Sequence, residues 1–356
     1  LYSGDFKKSL EAARDLAGFI SNGLKMQDSG LTSVKRQKNQ DAFSLHAAVA
    51  LHPNQTGKRS ALIDEGFKAA QLSHSTSAAN ATAQMAARFA SKDDAIGKQV
   101  RKQQDLKAKY KIANESFMQS LGSSVGGTSN NDLLTTKKML SELEADLDLV
   151  NKELLEDFPR YSDLIGNEPL SLSKVQDLLL KDEALFTLIY EKETRGFYAF
   201  IVSTVAARAY KINLTKTELT NIVAQLRDDV DLHKANSEGL PKFDVNLAHK
   251  LYQHLLAPAS EILVGIEQLL VVPTGPLESL PFNLLVTEKP ETTDTDYKNY
   301  LSAAWLPKTY SLTTLPSVSS LRSLRLFAKK APSTDLFKGF GDPILKGAAG
   351  QLRGLK

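Results

Sequence analysis

Few residues in this chain could do covalent chemistry, and the absences narrow the choice most. The 356 residues contain no cysteine. That removes a thiolate nucleophile, a disulfide and a thiolate metal site from residues 1–356. Six histidines remain as possible bases. His46 and His52 lie close together, but no carboxylate or cysteine accompanies them at ligand spacing, so the residues predict no metal. His254 falls beside an apolar helical face, the position of a hydrogen-bonded core histidine rather than a catalyst. Asp64 to Ala90 is crowded with Ala, Ser and Thr, yet no serine sits in a nucleophile elbow. The small residues read instead as close helix packing. Gly339 and Gly341 lack a third glycine, and Gly347 is followed by Ala348 rather than lysine. The segment is neither a dinucleotide fingerprint nor a phosphate loop, so no nucleotide cofactor is expected. The sequence offers no catalytic, cofactor-binding or metal-binding candidate.

The element best placed to position a site is Leu269 to Phe282. Leu269, Leu270, Val271 and Val272 form an unbroken apolar run, the pattern of a strand covered on both faces. Pro273 ends it, because proline has no N–H for the ladder. Thr274, Gly275 and Pro276 then read as a turn, and Leu277, Leu280 and Phe282 return apolar groups to the sheet. In open α/β sheets function gathers at the carboxyl ends of such strands. Further strands are predicted at Ala184–Tyr190, Phe197–Val205, Arg208–Leu214, Lys308–Leu315 and Leu336–Phe340. Thr215 and Glu218 make a capping box for a helix whose inner face is Leu219, Ile222, Val223, Leu226 and Val230. A second helix starts near Asp244, carries Leu247, Leu251 and Leu255, and stops near Pro258. Ser317 caps a third, with Val318, Leu321, Leu324 and Phe327 as its inner stripe.

Residues 1–160 are predicted to be helical throughout. Phe6, Leu10, Ala13, Leu16, Ala17 and Ile20 mark one helix between Asp5 and Leu24, and Phe43 to Leu51 a shorter one. Residues 27–40 read as a polar, basic connection. Leu106, Tyr110, Ala113 and Phe117 form one coiled-coil-type seam, and Leu140, Leu143, Leu147, Val150 and Leu154 another. Between them lies a Gly/Ser/Asn-rich tip, residues 122–131. Residues 98–111 carry six basic groups and one acidic group, and residues 142–157 seven acidic and one basic. Antiparallel pairing of residues about 92–120 with 132–157 would bring these opposite charges together. A basic helix beside an acidic partner reads as self-pairing, not as a nucleic-acid surface.

The net charge of +3 gives no reason to expect nucleic acid. No apolar run approaches the roughly 18 residues a membrane helix needs. A cysteine-free chain without such a run fits a cytoplasmic setting. A first residue Leu1 rather than Met predicts a processed or excised piece.

Four blocks in order resemble a known family. They are Asp157 to Leu164 with Pro169 to Leu172; Asp182 to Leu185 before Tyr198 to Val202; Leu269 to Phe282 with its Gly-Pro-Leu-x-x-Leu-Pro-Phe; and Leu315 to Ser317 followed by Gly339 to Pro343. Together they are similar to the first part of a CHAT domain, the caspase-like peptidase domain found downstream of tetratricopeptide-type (TPR) helices. Glu65 to Gln71 and Gln84 to Phe89 also resemble the helical region that precedes CHAT domains in bacterial proteins. The resemblance implies an all-helical, TPR-like region over 1–160, with a hairpin at about 92–157, followed by the first part of a caspase-like α/β domain over 161–356. It implies a His–Cys dyad on later strand ends, beyond Lys356, and none of the six histidines lies in the family's histidine motif. The partners it implies are the chain's own C-terminal catalytic half and a protein or peptide substrate or regulator. A non-catalytic helical interaction module with a pseudo-caspase fold remains the alternative.

Overall fold

A computed structural model describes residues 5–25, 39–74, 94–122, 130–157, 169–192, 196–231, 233, 242–290 and 297–327. The helices α1 (Phe6–Lys25), α2 (Gln40–Leu51), α3 (Arg59–Ser73), α4 (Asp94–Gly122), α5 (Asn130–Asp157) and α6 (Leu172–Leu178) come first. The strands β1 (Glu183–Glu191), β2 (Gly196–Ser203) and β3 (Ala207–Ile212) follow, then α7 (Lys216–Asp228) and α8 (Val245–Leu255). The chain continues through β4 (Gln268–Val272), α9 (Tyr297–Ser302), β5 (Ser311–Thr314) and α10 (Val318–Phe327). Among the described residues the fold is therefore an N-terminal set of helices followed by a mixed sheet of five strands, the order of helices and sheet that the sequence predicts.

The sheet order is β3-β2-β1-β4-β5. β2 runs antiparallel to both of its neighbours, while β1, β4 and β5 run parallel. β1 is therefore the middle strand, with Leu185 opposite Leu270 and Thr187 opposite Val272. β1 and β2 are buried on both faces, which explains their apolar runs without polar alternation.

Alternate residues serve two cores. On one face Phe186, Leu188, Ile201, Leu269 and Val271 pack with Leu219, Val223 and Leu226 of α7 and Leu251 and Leu255 of α8. On the other, Leu185, Phe200, Leu270 and Val272 pack with Ala47, Ala48 and Leu51 of α2, Phe67 and Ala70 of α3, Val175 of α6, and Val318 and Leu321 of α10. Phe67 meets Phe200 edge to face at 5.4 Å between centroids. The N-terminal helices thus form a layer of the α/β unit. α1 covers α2 in turn, with Leu10 against Val49 and Leu62 and Ala17 against Phe43.

One carboxylate joins this helical layer. Glu65 of α3 accepts from Arg14 Nε and Nη2, each at 2.7 Å, and lies 2.7 Å from His46 Nε2. Burial opposes ionisation of Glu65, but the Arg14 and His46 bonds outweigh it and hold the carboxyl down to about 2.

The hairpin of α4 and α5 has its own core of Leu106, Tyr110, Leu140, Leu147, Val150 and Leu154, with Ala113, Phe117 and Leu143 against it. Both seams read from the sequence meet as expected. Across them Tyr110 donates to Glu144 at 2.7 Å and Gln103 donates to Asn151. Ion pairs run along the helices, as in Lys111–Glu115 and Lys138–Glu142.

Several local expectations are corrected. β5 covers Ser311–Thr314 only, because Leu306–Lys308 with Pro307 forms a 3₁₀ turn. α3 begins at Arg59 rather than Asp64, and residues 75–90 lie outside the described ones. Leu16, Val230 and Leu324 are exposed rather than inward. The predicted strand Leu336–Phe340 and the side chain of Phe327 are outside the described residues.

Candidate functional site

The carboxyl ends of β1, β4 and β5 open on a cleft of about 1050 Å³. Three parts of the chain wall it. The strand ends give Leu188 to Tyr190, Pro273 to Pro276 and Thr314 to Pro316. The N-terminal layer gives Gln40, Asp41 and Ser44 from the start of α2, with Ser73 and His74 from the end of α3. Lys192, Lys216 and Glu278 complete the lining. The antiparallel run of α2 and α3 explains why residues more than thirty positions apart meet at one rim.

The floor is held by two hydroxyls. Thr187 Oγ1 donates to Val272 O at 3.1 Å, and Thr274 Oγ1 donates to Leu188 O at 2.8 Å. The first reinforces the last β1–β4 pair, and the second continues the link past the point where Pro273 ends main-chain pairing. Gly275 then takes φ +56°, a left-handed conformation that L side chains adopt only with strain. An added Cβ would meet nothing within 4 Å, so backbone strain and not crowding favours glycine here. Glu278 Oε1 accepts from Gly275 N–H at 3.1 Å and closes the turn. Leu277, Leu280 and Phe282 are buried as expected, and Phe282 meets Phe186 edge to face at 6.3 Å.

The groups with chemical potential around the cleft are mostly engaged. Ser44 donates to Asp41 O at 3.0 Å and Ser73 to Ala70 O at 2.7 Å, which uses the single proton of each hydroxyl. Burial pushes the His74 imidazole down, against the opposing pull of Glu278. His46 lies on Glu65, and His52 stacks on Phe6 at 4.3 Å with its Nδ1 accepting from Asn54 N–H. His249 Nδ1 lies 3.0 Å from Val286 O. His254 is half-buried, and burial and Lys250 push it down. Among the described residues no group of three or more His, Cys, Asp or Glu could hold a metal ion. Among the same residues no helix is long and apolar enough to cross a membrane.

At the opposite, amino end of the sheet, Glu183 is buried and accepts from Arg325 Nη2 of α10 through both carboxylate oxygens. Glu183 Oε2 also accepts from Leu180 N–H at 2.8 Å, and Arg325 Nε donates to Leu178 O at 3.1 Å. This clamp ties α10 to the start of the middle strand.

Sequence reasoning found the turn after β4 but not its companions His74, Lys192 and Lys216. The available signal was position: Lys192 directly follows a buried strand, and Lys216 directly follows a helix cap. The wall from α2 also had a signal. Ala47-Ala-Val-Ala-Leu51 has no polar face, and a helix apolar all round is a buried one.

The family model of the CHAT domain matches residues 245–349. The span runs from α8 through β4, its turn and β5 to α10, and so includes Pro273 to Pro276, Glu278 and Thr314 to Pro316 of the cleft lining but not the end of β1. It contains the third and fourth of the motif blocks that carry the resemblance, and the first two lie upstream of it. A search of curated proteins gives no match.

Proposed function

From a chain whose C-terminal part matches the CHAT domain, we infer that residues 1–356 are the N-terminal regulatory and scaffold portion of a CHAT-family, caspase-like cysteine peptidase. The His–Cys dyad is supplied from beyond Lys356. The observation that carries this reading is that the matched span contributes the ends of β4 and β5 and the turn after β4, which wall the cleft beside the end of β1. In such a peptidase a thiolate activated by histidine attacks the peptide carbonyl and expels the amine. The present residues have other duties. Thr187 and Thr274 pin the ends of β1 and β4 together, and the Gly275 turn shapes the rim. α2 and α3 form the facing wall, so the helical region reaches the cleft directly and can regulate access there.

The second reading is a non-catalytic interaction module on a pseudo-caspase fold. The hairpin favours it, because α4 and α5 enclose a core of their own and leave Ile112, Leu134, Met139 and Leu149 exposed among polar residues. The reading frame downstream of the Lys356 codon separates the two. The peptidase reading expects a His-Gly block and a cysteine at a strand end there. A frame that continues through a full sheet with neither would leave the interaction module standing.

A further inference from the structure

The hairpin of α4 and α5 carries a second stripe outside its own core, and that core takes no side chain from any other element. Lys102 and Lys109 of α4, seven positions apart, each directly precede a buried seam residue, Gln103 and Tyr110. Asp146 and Glu153 of α5, also seven apart, directly precede the buried Leu147 and Leu154. Residues one step before the seam of two antiparallel helices flank the same side of it, so all four belong to one face. The bonds from Gln103 to Asn151 and from Tyr110 to Glu144 set the levels, with Lys109 across from Asp146 and Lys102 across from Glu153. None of the four forms an ion pair among the described residues. The ion pairs of the hairpin run within a helix, as in Lys138–Glu142 and Lys152–Glu156. Ile112 and Leu149 follow Lys109 and Asp146 at helical spacing on this same face, and they are 66% and 54% exposed. Met139, seven positions before Asp146, is 50% exposed. The face is therefore basic along α4 and acidic along α5, with large apolar groups set among the charges.

We propose that this face is the contact of a homodimer, in which two copies of the hairpin form a four-helix bundle about a two-fold axis parallel to the helices. The occupant is a second copy because the face is complementary to itself. That rotation lays α4 of one copy antiparallel on α5 of the other and keeps the levels. Lys109 then meets Asp146 and Lys102 meets Glu153, each contact made twice. Ile112 comes beside Met139, and Leu149 lies under the apolar stems of Lys102 and Lys109. A two-fold axis across the helices would instead stack α4 on α4 and set lysine against lysine. A nucleic acid would be drawn to the α4 edge but repelled by the acidic edge beside it. α4 and α5 have 29 and 28 residues, so the face runs about 40 Å, a length that accommodates a specific interface.

The test is sedimentation velocity on residues 1–356 over a range of protein concentrations. The chain is expected to sediment as a monomer–dimer equilibrium whose Kd rises at least about tenfold between about 0.05 M and about 0.5 M salt. Lys102→Glu/Lys109→Glu makes the face largely acidic, and Asp146→Lys/Glu153→Lys makes it largely basic. Each double variant alone should stay monomeric where the unaltered chain dimerises. An equimolar mixture of the two should give a heterodimer, because opposite charges then face each other again, and its formation also shows that both variants fold. An unaltered chain that is monomeric throughout would overturn the proposal. So would a dimer indifferent to salt, a double variant that dimerises alone as the unaltered chain does, or a mixture of folded variants that stays monomeric. The salt titration of the unaltered chain decides the matter even if a variant fails to fold. Because the readout is mass and not turnover, the result is independent of whether a cysteine follows Lys356.

Discussion

Thr274 Oγ1 donates to Leu188 O at 2.8 Å, so the residue after Pro273 takes over the strand pairing that the proline ends. The bond is buried and spans 86 positions of sequence. Thr274→Val keeps the shape and leaves the Leu188 carbonyl without this donor. The expected cost is about 1–3 kcal/mol, the penalty of an unsatisfied buried acceptor. Urea unfolding measures it, and a midpoint equal to that of the unaltered chain would show that the hydroxyl does not hold the cleft floor.

Gly275 offers a cleaner contrast. Its φ of +56° meets open space, so Gly275→Ala is penalised by conformation alone, by about 1–2 kcal/mol. Larger side chains should cost about the same. A steep rise from Ala to Leu at this position would mean that crowding, not the left-handed backbone, sets the requirement.

The Arg325–Glu183 clamp joins groups 142 positions apart, and Glu183 is buried. Arg325→Ala leaves that carboxylate uncompensated and should destabilise by about 3–5 kcal/mol, towards the lower figure because Arg325 is partly solvent-exposed. Adding Glu183→Gln should recover part of the loss, since no charge then remains to be paired. A double variant no more stable than Arg325→Ala alone would contradict the pairing account.

Acid should loosen α1 from the helical layer. Glu65 is held down to about 2, below the ordinary carboxylate value of about 4.3, so its bonds stabilise the fold above that ordinary value. The contribution fades as pH falls from about 4.3 through about 2. Urea midpoints measured stepwise down this window should drop more steeply in the parent chain than in Arg14→Ala, which has already lost the bidentate contact. Parallel slopes would refute the linkage.

Local pattern was legible in this sequence, and long-range assembly was not. The seam residues Leu106, Tyr110, Leu147 and Leu154, the Thr215–Glu218 capping box and the two-faced burial of β4 follow from spacing within one element. Leu324 was misplaced on the inner face because the inner positions of α10 include the polar Ser320 and Ser323, which an apolar-spacing argument passes over. The cleft was half legible. The turn after β4 carries proline and glycine, which announce themselves, while His74, Lys192 and Lys216 are ordinary residues that only the topology brings together. β5 was read too long because the alternation begins at Lys308, which still belongs to the 3₁₀ turn before the strand.

The central claim is that residues 1–356 build one side of a thiol peptidase and lack its nucleophile. The most direct measurement is peptide turnover by two purified proteins, residues 1–356 and the product of the reading frame continued past Lys356, each with and without iodoacetamide. The account expects no turnover by residues 1–356, turnover by the extended protein, and loss of that turnover on alkylation of its cysteine. Cleavage by residues 1–356 free of contaminating protease, or turnover by the extended protein that survives alkylation, would contradict it.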